Sequence, residues 1–307
     1  MTEPIGTSSV IPEPRAAADG DLAEPAPRLE VSVAARVART VLMLAGGAGA
    51  LAVAWTNPDR GTEPAWHLWA ALATFLGLVS GSSIGSGVAR WQEVRRIQRV
   101  PVHRVLPVVV VFVLLACASL PLAAIYVGDA LSWRGVAFAG IAIVGALPAG
   151  AALAAIRSLA LHGIDGPPGR QLAGLLSLRR ILTRLLSILG SLVVLITLLN
   201  AAGLNWGSGP QLPVSAVVFA GAAGTVLVGI LYIPTAALLR RRCVAFVDQH
   251  FGLESVPRSQ LVTAVDERIK LEEILAVNRT TLGELRAALL IVSPLLAGAA
   301  SALLPLA

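Results

Sequence analysis

Seven stretches of this chain are each apolar over a length that suits a lipid bilayer, and the arginines between them fall on alternate sides. Crossing the hydrocarbon core takes roughly 20 residues of helix, with about 17–25 tolerated. The stretches run Val37–Trp55, Trp66–Val88, Leu106–Val127, Val136–Ile156, Leu185–Leu204, Leu212–Leu239 and Leu285–Leu306. The first is short and glycine-rich, with Gly46, Gly47 and Gly49 after Ala45. The expected fold is therefore an all-α polytopic membrane bundle of about seven spans. It divides into a tail (1–36), a six-helix region (37–239), a helical segment (240–284) and a final span (285–307).

Cationic loops resist translocation, so lysine and arginine in short loops set orientation. Arg90, Arg95, Arg96, Arg99 and Arg104 follow the second stretch, and Arg157, Arg170, Arg179, Arg180 and Arg184 follow the fourth. After the sixth come Arg240, Arg241, Arg242, Arg258, Arg268, Lys270, Arg279 and Arg286. With Arg15, Arg28, Arg36 and Arg39 ahead of the first, only Arg60 and Arg134 are left for the opposite face. This alternation holds at every crossing, as seven spans require, with the amino terminus in the cytoplasm and the carboxyl terminus outside. Indole rings favour the interface. Trp55, Trp66, Trp69, Trp133 and Trp206 fall at the expected outer ends and Trp91 at an inner one.

Only 14% of residues are charged and 56% are apolar, with a mean hydropathy of +0.77. Soluble domains are nearer a quarter charged. Of the 24 basic residues only Lys270 is lysine. With abundant Ala, Gly, Val and Pro, this is what a GC-rich bacterial genome encodes, so the expected location is a bacterial inner membrane. The first 30 residues are acidic and proline-rich, without the basic start and apolar run of a signal peptide; they read as a disordered tail. Cys117 lies in an apolar run and Cys243 behind an arginine cluster, so a bridge between them is not expected.

The loops have a helical period. Trp91, Val94 and Ile97 recur among arginines until Pro101, and Leu172, Leu175, Leu176, Ile181 and Leu182 follow the Gly166–Gly169 turn. Both read as interfacial extensions, apolar side in lipid and guanidinium groups at phosphates. In 240–284 two helices are expected, the second with Leu261, Val262, Val265, Ile269 and Leu275 on one face. Asp266–Lys270 and Arg268–Glu272 have the spacing of i,i+4 pairs. Thr281 and Glu284 match a capping box ahead of the last span.

Chemistry is constrained mostly by what is missing. No ionisable residue sits mid-span, where each costs about 2.5–3.5 kcal/mol on insertion scales. That argues against a proton-coupled pump, a voltage sensor or a charge-lined channel. The last span has no lysine for a retinal-type Schiff base. Ser80, Ser82, Ser83 and Ser86 would need a base, and His67 is at least thirteen residues away, roughly 20 Å along a helix. His103, His162, His250, Asp165, Asp248 and Cys243 share one side without tight ligand spacing. No catalytic, cofactor or metal residues are assigned.

Small residues recur every four positions: Gly77, Gly81 and Gly85; Gly221, Thr225 and Gly229; Ser293, Ala297 and Ser301. Such faces let backbones approach closely, for packing within the chain or for a homodimer. Pro148, Pro234 and Pro294 would bend their helices. The lipid bilayer is the first partner. Arg95, Arg96, Arg99, Arg179, Arg180, Arg240, Arg241 and Arg242 are candidates for anionic lipid head groups or an acidic protein. No nucleic-acid recognition module accompanies them, so nucleic acid is not expected. Two functions follow: a non-enzymatic scaffold or signalling subunit whose cytoplasmic partner docks near Leu261 and Val265, or a permease-like component for a neutral or lipid-like molecule.

Overall fold

The computed structural model describes residues 33–58, 60, 64–128, 132–204, 213–250, 257 and 261–275. These residues form helices and no strand. The helices are α1 (Val33–Trp55), α2 (Pro64–Ile97), α3 (Val102–Val127), α4 (Trp133–His162), α5 (Pro168–Ala202), α6 (Val214–His250) and α7 (Leu261–Ile274). The first six are long and apolar enough to cross a membrane. The expected seventh span, its Ser293, Pro294, Ala297 and Ser301, the Thr281–Glu284 capping box, Trp206 and most of the acidic tail lie outside the described residues.

The helices outrun the apolar stretches at the arginine-rich end. α2 continues past Val88 to Ile97, α5 starts at Pro168 well ahead of Leu185, and α6 runs through the expected boundary at 239 to His250. The first helix expected in 240–284 is thus the end of α6, and α1 begins at Val33, inside the expected tail. Pro168 starts α5 because the first helical position has no partner for the N–H that proline lacks. At the other end Ser132 accepts the Gly135 N–H at 3.3 Å and caps α4.

α4 is the central helix, packed by α1, α2, α3, α5 and α6. Its row of small residues, including Ala146, Ala149, Ala152 and Ala155, is buried and lets neighbours come close on every side. α2 lies between α1 and α4 and offers small residues to both. On one side a Cβ at Gly77 would stand 2.6 Å from Ala50 Cβ, and one at Gly81 2.9 Å from Met43 Cα. On the other, a Cβ at Gly87 would stand 2.8 Å from Pro148 Cβ. Ser80 Oγ donates to the Ile141 carbonyl at 2.6 Å, joining α2 to α4. Lipid tails are as apolar as leucine side chains, so this close fit, not water exclusion, holds such helices together.

The amphipathic extensions pack differently from the interfacial expectation. Val94 on α2 and Leu175, Leu178, Ile181 and Leu182 on α5 are buried inside the bundle, where α2 and α5 touch. The physical reason is that α2 and α5 stay helical beyond the apolar stretches, so their apolar rows find each other before they find lipid. A double hydrogen bond ties the two adjoining loops: Gln98 Nε2 donates to Asp165 Oδ2 at 2.7 Å, and the Asp165 N–H to Gln98 Oε1 at 3.1 Å. At the opposite end Trp55 meets Trp66 edge-on at 5.8 Å, and Arg134 Nη2 donates to the Thr56 carbonyl at 2.6 Å.

Candidate functional site

α3, α4, α5 and α6 do not close completely on one another. They leave a crevice of about 200 Å³ toward the tryptophan-rich end. Its walls mix larger aliphatic and aromatic side chains, such as Leu189, Leu192 and Phe219, with many small ones, among them Ala116 and Ala123 of α3, Ala139 and Ala142 of α4, and Ala220 and Ala223 of α6. Alanine and glycine give a helix no bulk with which to fill the gap. No ionisable residue lines the space among the described residues; its polar groups are Ser119, Ser132 and Asn200. Ser119 Oγ donates to the Ala116 carbonyl at 2.7 Å, and Ser132 is the α4 cap. Such a lining suits apolar groups.

A second groove of about 190 Å³ continues from the first toward the arginine-rich end, sharing Phe112, Leu227 and Leu231 with it. It lies between α3 and α6, with Arg157 of α4 among its lining residues. Phe112 and Leu231 are buried, whereas Val111, Leu115 and Ile230 are exposed, so the groove opens sideways, toward the lipid. Neither cavity was legible in the sequence. The only signal was the alanine content of α4 and α6, which reads equally well as tight packing.

At the arginine-rich end, α7 is fastened to the bundle. Arg268 bridges Asp248 of α6 at 2.7 Å and Glu272 of its own helix at 2.9 Å. Those hydrogen bonds, Glu272's first and then Asp248's, hold the Arg268 guanidinium above its usual pKa. Arg179 of α5 donates to the Leu275 carbonyl. Leu271 and Leu275 are buried, while Leu261, Val262 and Ile269 are exposed and Val265 is half-buried. Leu275 therefore faces inward with Leu271 rather than sharing a face with Val262 and Ile269, because Arg179 and Asp248 fix the rotation of α7. Asp266 and Lys270 form no ion pair among the described residues; Arg268 to Glu272 is the pair that forms.

The other residues singled out by sequence are dispersed. Arg95, Arg96, Arg99, Arg180, Arg240 and Arg241 are exposed around this end. Arg242 lies under Gly163, where a Cβ would meet its guanidinium, and that glycine's φ of 87° is one that other residues rarely adopt. Gly77, Gly81 and Gly85 face α1: Leu42, Gly46 and Arg39 lie against them. Gly221 and Gly229 are buried on α6, and the Thr225 hydroxyl is buried without a partner among the described residues. His162 and His250 bond back to their own helices, to the Ser158 and Phe246 carbonyls. Among the described residues no three His, Cys, Asp or Glu side chains gather as a metal site would need. Cys117 and Cys243 are free thiols, the first exposed and the second buried.

Six helices of this length and apolarity define the class: a multi-pass membrane protein in contact with the lipid bilayer. No protein-family model, curated protein or solved structure matches the chain.

Proposed function

We propose that this chain is a permease-like membrane component that takes a neutral or lipid-like molecule from the bilayer into the crevice between α3, α4, α5 and α6. The observation that carries the reading is the crevice itself: apolar, free of ionisable lining residues, and continuous with a groove that opens sideways. A pump for ions or protons would need charge there. Photolabelling tests it. With the full chain in vesicles containing a diazirine-bearing alkyl probe, labels are expected on Ala139 and Ala223 and should fall when Ala223→Trp fills the space. Labels confined to outward residues such as Leu114 and Val144 would end this reading.

The scaffold reading draws on a different feature, the row of Leu261, Val262 and Ile269 that α7 turns away from the bundle. Photo-crosslinking from Leu261 and Val265 in cells tests it: a reproducible protein partner supports it, and crosslinks to lipid alone count against it. For orientation, the bias of arginine to one end supports a cytoplasmic arginine-rich end in the plasma membrane, with the carboxyl terminus beyond a seventh span. Single cysteines at Arg96 and Asn57, probed with an impermeant maleimide on intact cells, should react only at the second. Labelling at the first would reverse the orientation.

A further inference from the structure

We propose that the groove between α3 and α6 is a binding site for an anionic phospholipid of the surrounding bilayer, with Arg157 on its phosphate and an acyl chain running into the crevice. This rests on the crevice reading and adds the chemistry of its occupant.

Arg157 is a half-buried residue among Val108, Val111, Phe112, Leu115, Leu227 and Leu231. It has no hydrogen-bond or ion-pair partner among the described residues. An arginine on the rim of an apolar groove can meet an anion there, and its planar fork of donors suits phosphate oxygens. The other arginines near this end lie mostly at open surface, where water serves them. Among the described residues that line the two cavities, Arg157 is the one cation.

The dimensions fit. On α4, Ala146, Gly150 and Arg157 recur along one face, and at Gly150 an added Cβ would find Phe112 and Leu231 at 3.7 Å. Eleven residues separate Arg157 from Ala146, about 16 Å of helix, close to half of the roughly 30 Å hydrocarbon core. A phosphate at Arg157 therefore leaves one leaflet's length of chain to follow the groove and enter the crevice, which Ala146 lines. Two more cations continue the rims. Arg104 is one turn beyond Val108 on α3, and Arg241 three turns beyond Ile230 on α6, each on the groove's side by helical spacing. Both are exposed, as head-group contacts would be.

The test uses the full chain in phosphatidylcholine vesicles with a minor fraction of photoreactive probe, either phosphatidylglycerol or phosphatidylcholine carrying a diazirine on the acyl chain. The phosphatidylglycerol probe should label peptides containing Val111, Leu115 and Ile230 in preference to the other probe. Arg157→Gln should cut that preference roughly tenfold, the size expected for one charge-assisted contact, and Arg157→Lys should keep part of it. Should Arg157→Gln fail to fold, Val111→Trp narrows the rim with the guanidinium in place and should lower labelling by the phosphatidylglycerol probe. Equal labelling by both probes, untouched by Arg157→Gln, would overturn the anionic site while leaving an apolar crevice. No labelling in the groove or crevice by either probe would overturn both.

Discussion

Alanine at Gly77 or Gly81 should detach α1 from the bundle. A Cβ at Gly81 would stand 2.7 Å from the Leu42 carbonyl carbon and 2.9 Å from Met43 Cα, with the Leu42 carbonyl oxygen nearer still. At Gly77 it would meet Ala50 Cβ at 2.6 Å and the Gly46 carbonyl. These obstacles are mostly backbone, so no rotamer change relieves them and α1 must shift as a body. Overpacking of this kind costs about 1–3 kcal/mol per site. The other ties of α1 lie at its ends, Arg39 to Ser82 and Trp55 against Trp66; its buried residues are Gly47, Ala50 and Ala54, and its contacts with α4 are slight next to those with α2. The double variant should separate α1 while α2–α6 stay packed. Exchange of backbone amides in α1, measured in bicelles, should rise in Gly77→Ala and rise further in Gly77→Ala/Gly81→Ala. Gly49→Ala and Gly140→Ala are the controls, because a Cβ at either meets nothing within 4 Å. They should be neutral or stabilising, by up to about 1 kcal/mol from helix propensity. If Gly77→Ala and Gly81→Ala behave like the controls, the α1–α2 contact is wrong.

Gly145→Ala should be destabilising because its Cβ would lie 2.9 Å from Ser80 Cβ. Adding Ser80→Ala removes the hydroxyl and should recover part of the loss, a coupling that a double-mutant cycle in a detergent-unfolding assay would read. Ser80→Ala alone should cost about 0.6 kcal/mol, the usual size of a hydrogen bond between membrane helices. Arg268→Ala should loosen α7, seen as faster amide exchange across Leu261–Ile274, and Arg179→Ala should act in the same direction; unchanged exchange in both would mean α7 is held by other contacts. Cys243 should react with a water-soluble maleimide much more slowly than a cysteine placed at Arg241, since one is buried and the other exposed; equal rates would contradict the packing of α6.

The spans were legible because hydrocarbon imposes a length and an apolarity that few other structures share. Helix ends were less so. Arginine at Arg95 or Arg179 marks the edge of the apolar layer, but α2 and α5 continue through it because no proline interrupts 88–97 or 169–185. The pairing of faces was harder still: Val94, Leu178 and Leu182 have the same period whether they meet lipid or each other. For α7, spacing alone grouped Leu275 with Val265, while the bridge from Arg268 to Asp248, twenty residues apart, sets the rotation. The groove was invisible for a related reason. Arg157 follows the fourth apolar stretch like any loop arginine, and only the splay of α3 from α6 gives it an apolar cavity.

The crevice between α3, α4, α5 and α6 should hold an amphiphile drawn from the bilayer. Native mass spectrometry of the full chain released from lipid nanodiscs, comparing wild type with Ala223→Trp, would read that occupancy. The wild type should keep a lipid-mass adduct under activation that strips peripheral lipid, and the variant should lose it. Identical adducts on both proteins, or none that outlast peripheral lipid, would leave the crevice without a bound amphiphile.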